Sequence, residues 1–112
     1  MFGFQRLDVY RCATEFLACS ASLCELVPKG QGSLSDQLKR AALSIPLNIA
    51  EGSGRMGGNR RQLYAVARGS ALECAAILDA IEILTTRADE SFAKPRELLD
   101  RIVAMLTVML RE

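Results

Sequence analysis

The sequence predicts an all-α protein, an antiparallel up-down four-helix bundle, on three observations. Apolar residues recur at three-four spacing in four stretches, the pattern of amphipathic helices. Breaks rich in glycine, proline or short polar residues separate these stretches, and none of the chain reads as a strand. Half of the 112 residues are hydrophobic but only six are aromatic, a composition suited to closely packed aliphatic side chains and alanine. A chain of this length makes one domain, residues 1–112. Its high surface-to-volume ratio leaves apolar area to be buried between subunits.

The first helix is expected over about residues 7–27, with Tyr10, Ala13, Phe16/Leu17, Ser20, Leu23/Cys24 and Val27 along its apolar stripe. Asp8 near its start suits the positive end of the helix dipole. Pro28, Gly30 and Gly32 then break the pattern, so 28–33 is a loop. Ser33 is the expected cap of a second helix over 34–53, with Asp36 three residues on as an imperfect capping box. Pro46 inside that helix costs the amide bond to the carbonyl of Ala42 and bends the helix. Both residues are read as bordering a wet arc, where water serves the freed carbonyl and the helix continues.

The second helix carries the most informative stripe in the chain. At about 100° per residue Arg40, Ser44, Asn48 and Glu51 align, with Leu38, Ala41, Ile45 and Ile49 on one flank and Leu43, Leu47 and Ala50 on the other. Only Lys39, Pro46 and Ser53 remain as the wet arc. A polar stripe between two apolar walls is expected to be at least half buried, and buried charges need partners.

Gly52-Ser-Gly54-Arg-Met-Gly57 follows and matches G-x-G-x-x-G literally. The dinucleotide fingerprint needs a strand before it and a βαβ unit around it; here a helix precedes it, so it is read as a helix C-cap and turn. Asn59 is expected to cap the third helix, with Gln62 completing a capping box. Arg55, Arg60 and Arg61 surround that helix start, an arrangement suited to a phosphate.

The third helix is expected over about 59–87, with Leu63, Val66, Ser70, Cys74, Ile77, Ile81 and Leu84 as its core arc. Glu73, at the edge of that arc, is the expected partner of Arg40. Gly69 costs about 1 kcal/mol relative to alanine. The opposite side, with Ala65, Arg68, Leu72, Ala75, Ala76 and Asp79, is a mostly small-residue face that suits a neighbouring subunit. A turn through residues 88–91 leads to the fourth helix, 94–111, which tolerates Pro95 in its first turn. Its apolar arc of roughly 160° is wider than one core face needs, and the excess is expected to pack on another subunit. A membrane-surface role is disfavoured because Glu97, Asp100 and Arg111, not lysines, occupy its polar side.

The run SIPLNIAEGSGR at 44–55, preceded by DQLKRAA at 36–42 and followed by ARGSALE at 67–73, resembles the four-helix-bundle family of 23S rRNA intervening-sequence proteins. Relatives of that family include the accessory variability determinant of diversity-generating retroelements. The resemblance runs from about Leu7 to the C-terminus. It implies a small all-helical protein that assembles as a cyclic homo-oligomer, a pentamer, with a role in binding nucleic acid. It supplies no catalytic activity, and the residues call for no cofactor.

The net charge of +1 is unevenly distributed. From 39 to 68, six basic residues (Lys39, Arg40, Arg55, Arg60, Arg61, Arg68) face one acid, Glu51, a local balance of +5. Repeated around an oligomer axis, this segment becomes a strongly positive ring, and the backbone of RNA or DNA is the matching partner. The candidate contacts are Arg55, Arg60, Arg61, Lys39 and Arg68. No aromatic platform accompanies them, so binding is expected to be insensitive to sequence and steeply weakened by salt.

An enzyme is the least favoured class. Without histidine a Ser-His or Cys-His pair is impossible within one chain, no Walker or EF-hand motif is present, and Asp89-Glu90 sits on a turn with nothing apolar to raise a pKa. Cys12, Cys19, Cys24 and Cys74 form no C-x-x-C pair and read as small buried hydrophobes rather than a zinc site. No apolar run approaches a membrane span, and Met-Phe-Gly-Phe-Gln-Arg-Leu-Asp lacks the pattern of a signal peptide, so a cytoplasmic location is expected. The rival function is a homo-oligomeric scaffold that recruits a protein partner, such as a reverse transcriptase, through its helix faces.

Overall fold

A computed structural model of the chain describes residues 1–86 and 90–112. It contains four α-helices: α1 over Asp8–Cys24, α2 over Gly32–Ser53, α3 over Gly57–Thr85 and α4 over Ala93–Arg111. Short 3-10 turns at Gly3–Arg6 and Glu90–Phe92 precede α1 and α4, and no strand occurs among the described residues. Successive helices pack on one another and α1 closes against α4, the arrangement of a four-helix bundle. With 29 residues, α3 is about 43 Å long at the rise of an α-helix. The longest dimension of the molecule is also 43 Å, so α3 runs its full length.

The helix ends differ from the sequence expectation in informative ways. α1 stops at Cys24, and the chain to Val27 continues as tight turns, with Leu26 N–H donating to Leu23 O at 3.0 Å and Val27 N–H to Cys24 O at 3.3 Å. Such i to i+3 bonds serve the carbonyls an α-helix leaves open at its end. Neither expected side-chain cap is used: α2 starts at Gly32, ahead of Ser33, and α3 at Gly57, ahead of Asn59, with no side-chain cap bond at either start. α3 ends where Thr86 adopts left-handed backbone, φ 53°. The expected extension to Arg87, and Ala88 and Asp89 of the following turn, lie outside the described residues.

α2 runs unbroken through Pro46, but Pro46 and Ala42 are buried, not on a wet arc. α2 lies against both α1 and α3, and a helix with two neighbours needs a wider buried arc than one apolar flank supplies. Ala42 is fully buried, so solvent does not serve its carbonyl as expected.

The inward arc of α3 is also rotated from the one read in the sequence. Tyr64, Ala67, Ala71, Cys74, Ile77, Leu78 and Ile81 are buried, whereas Val66 and Leu84 are 41% and 47% exposed. Ala67 and Ala71 on the inner face let the backbones approach closely, and with them inward Val66 and Leu84 turn outward. α4 keeps its expected inner residues Leu98, Leu99, Ile102 and Leu106 buried, with Pro95 in the first turn. Val103, Met105, Met109 and Leu110 are half-buried around them. No helix among the described residues is long and apolar enough to cross a membrane.

Candidate nucleic-acid interface

Only Gly54, Arg55 and Met56 connect α2 to α3, and two glycines make so short a connection possible. Gly52, buried in the last turn of α2, lies so near the Tyr64 ring that a Cβ there would sit 2.8 Å from Cδ1 and Cε1. Gly57 takes left-handed backbone, φ +57°, a conformation that costs glycine nothing. The end of α2 leaves carbonyls without helical partners, and Arg60 reaches them: Nη2 donates to Ser53 O at 3.1 Å and Nε to Arg55 O at 2.9 Å. Arg55 donates from Nη2 to Glu51 Oε1 at 3.1 Å, an exposed pair one helical turn apart worth about 0.5 kcal/mol. Arg61 is exposed and has no ion-pair partner among the described residues.

The three arginines at the start of α3 are therefore together but differ in state. Arg60 is oriented by neutral carbonyls, Arg55 is weakly paired, and Arg61 faces solvent. The other two candidates lie apart. Arg68 shares a face of α3 with Arg61 two turns away, but it is half-buried and its Nε donates to Thr107 Oγ1 at 2.8 Å, bridging α3 to α4. Lys39 lies about 22 Å up α2 from the turn by helix rise, outside this cluster.

The polar stripe of α2 divides in the same way. The hydroxyls of Ser44 and Ser70 lie 2.9 Å apart, and Asn48 Nδ2 donates to Ser44 Oγ at 3.0 Å and to Ser44 O at 2.8 Å. This half-buried ladder ties α2 to α3. Arg40, Glu51 and Glu73 are exposed instead. Arg40 and Glu73 flank a groove with Ser44 and Ser70 between them, yet they form no ion pair, so the expected lock is absent. The reason is that the outward flank of α2 is uncovered in the single chain, with Leu43 and Leu47 46% and 57% exposed. Solvated charges gain too little from pairing to hold two long side chains in one geometry.

A family model described as 23S rRNA-intervening sequence protein matches residues 5–108, from the first turn into the last turns of α4. The chain belongs to that family. Among curated proteins none matches it.

This intervening-sequence protein also brings to its basic end a feature that spacing along the chain conceals. Residues 2–7 form a held turn: Phe2 N–H donates to Gln5 Oε1 at 2.7 Å, and Leu7 N–H to Phe4 O at 3.1 Å. Phe4 meets Tyr10 edge-on at 5.0 Å and lies parallel to Phe2, with centroids 5.9 Å apart and planes 8° from parallel. The turn packs against α2 as well as α1, so Phe2, Phe4, Leu7, Ser53, Arg60 and Tyr64 line one groove of about 580 Å³. Phe2 is 73% exposed. The expectation that no aromatic accompanies the arginines is thus corrected. Its only trace in the sequence is Phe-x-Phe ahead of the first helix, which has no meaning until that turn folds back on α2.

Burial pushes the Tyr64 phenol above its ordinary pKa, and the nearby charge of Arg60 opposes the shift. The cysteines do not gather into a site: Cys12 and Cys74 are buried, Cys19 and Cys24 half-buried. No three His, Cys, Asp or Glu side chains are placed to hold a metal among the described residues.

Proposed function

We propose that this intervening-sequence protein is a non-enzymatic accessory protein that binds the backbone of RNA or DNA through its basic end, repeated around a cyclic homo-oligomer. The observation that carries this reading is the cluster of Arg55, Arg60 and Arg61 at the α2–α3 turn, three cations set against the exposed Glu51, which pairs with Arg55, and Glu112, which lines a groove with Arg60 and Arg61. Guanidinium groups held in this way suit phosphate. Anisotropy titration of a labelled ribosomal RNA fragment and of generic DNA, at about 50 and 200 mM salt, tests it. Affinity is expected to fall steeply between the two conditions and to be reduced in R55A/R61A, with Arg60 kept because it caps α2. An absence of binding at the lower salt would remove the proposal.

A second reading, a homo-oligomeric scaffold that recruits a protein partner, draws on the outer faces of α2 and α3. Leu43, Leu47, Val66 and Leu72 are each 41–57% exposed, more apolar side chain than a lone small bundle usually leaves in water. The expected pentamer would cover them. Light scattering on L43E/L47E should show a smaller particle than the unaltered chain; equal masses would count against assembly through this face.

A further inference from the structure

Resting on the nucleic-acid reading, the geometry points to a base-binding groove: Phe2, Phe4 and Arg60 hold an unpaired base of single-stranded nucleic acid, with the adjoining phosphate between Arg55 and Arg60. Three observations converge on this occupant.

The first is an exposed ring held in place. Phe2 is anchored through its own backbone by Gln5 and lies parallel to Phe4, which is itself fixed edge-on by Tyr10. A ring ordered before binding loses little entropy on stacking. The second is size, since about 580 Å³ lies within the 300–1,000 Å³ typical of small-ligand clefts. The third is charge. Arg60 uses one N–H at Nε and one at Nη2 on the carbonyls of Arg55 and Ser53, so three of its five donors remain for a base edge or a phosphate oxygen.

The adjoining groove, of about 310 Å³, shares Leu7, Arg60 and Tyr64 with the first and adds Arg61 and Glu112. Glu112 lines that second groove beside Arg61 and repels phosphate, which favours a strand path on the Arg55 and Arg60 side. A base in a duplex has both faces covered by its neighbours and offers none to Phe2. The groove therefore selects single strands, whereas the arginines alone attract either form.

The test compares a single-stranded oligonucleotide of about 12 nucleotides with a duplex of the same length at equal salt. The unaltered chain should bind the single strand more tightly. F2A/F4A should weaken single-strand binding by about five- to a hundredfold, the range for one lost base–aromatic stack, while duplex binding is unchanged. The chain has no tryptophan, so F2W supplies a unique fluorophore whose emission should be quenched by the single strand and not by the duplex. If the unaltered chain binds neither form at low salt, the underlying nucleic-acid reading fails. Equal binding of both forms, unchanged in F2A/F4A, keeps that reading and overturns the groove. A change in the oligomer mass of F2A/F4A by light scattering would assign the rings to assembly and overturn the groove as well.

Discussion

Two arginine sites in this molecule use the same side chain to opposite ends. On α4, Arg96 donates from Nη1 to Asp79 Oδ1 and from Nη2 to Glu82 Oε1, both at 2.9 Å, with its Cζ 5.8 Å from the centre of the Phe92 ring. Desolvation by burial works against its charge, but hydrogen bonds to Glu82 and Asp79 and the attraction of their charges together more than offset it and raise its pKa above the ordinary arginine value. At the α2–α3 turn, Arg60 gives its hydrogen bonds to backbone carbonyls, which orient the guanidinium without cancelling it. Arg61 beside it has no ion-pair partner among the described residues. What the partner is, a carboxylate or a carbonyl, decides whether an arginine fastens two helices or stays available to an anion. A count of basic residues along the chain treats both sites alike.

The comparison can be broken most forcefully at Gly52, which seats the Tyr64 ring behind the basic turn. Gly52→Val forces two branched carbons into the space where a single Cβ already falls 2.8 Å from that ring. A loss of about 3 kcal/mol in urea unfolding is expected, with nucleic-acid affinity falling alongside. Unaltered stability would mean that the basic turn is not held by this contact.

High pH separates the core from the basic end. Burial, and then the charge of Glu73, push the Cys74 thiol from its ordinary value of 9.0 up to about 12. The folded state thus favours the neutral thiol, and the stability this contributes is complete below about pH 9 and is lost as pH climbs toward 12. Unfolding free energy from urea titrations should fall above that lower bound, at roughly 1.4 kcal/mol per pH unit. C74A should flatten that slope, and what remains belongs to Cys19 and Tyr64, whose pKa values are also raised. A slope equal in both proteins would contradict the burial of Cys74.

Arg96→Ala addresses the clamp alone. It removes two charge-assisted bonds at a site where Arg96 and Glu82 are 34% and 32% exposed, for an expected loss of about 1–2 kcal/mol in thermal or urea unfolding. Binding of anions at the opposite end should be untouched. Arg61→Ala is the mirror experiment and has the smallest effect on stability, within about 0.5 kcal/mol, while the salt slope of binding drops by about 1. Two variants that shift stability and binding in parallel would erase the distinction between the sites.

Much of the architecture is legible in the residues themselves. Pro28 and the glycines around it, the glycine-rich turn after α2, and Pro95 near the start of α4 mark breaks that chain geometry alone enforces. α3 is where the pattern of faces misleads. Val66, Leu72, Ile83 and Leu84 point outward while Ala67 and Ala71 point in, so a helix that is apolar on several sides presents no unique stripe to read. The expected pair of Glu73 and Arg40 fails for a related reason, since it presumes a neighbour beyond α1 and α3 that covers the outer flank of α2. Phe2 and Phe4 carry no signal along the chain because more than fifty positions separate them from Arg60, with which they line one groove.

The sequence by itself determined the helices and their breaks, since hydrogen bonds spanning four residues and the stiffness of proline act within a short length of chain. Only the tertiary structure decided which arc of α3 is buried, which arginines are neutralised, and that two N-terminal rings stand beside the basic turn. Burial and charge pairing depend on groups distant along the chain, and those meet only when the helices close on one another.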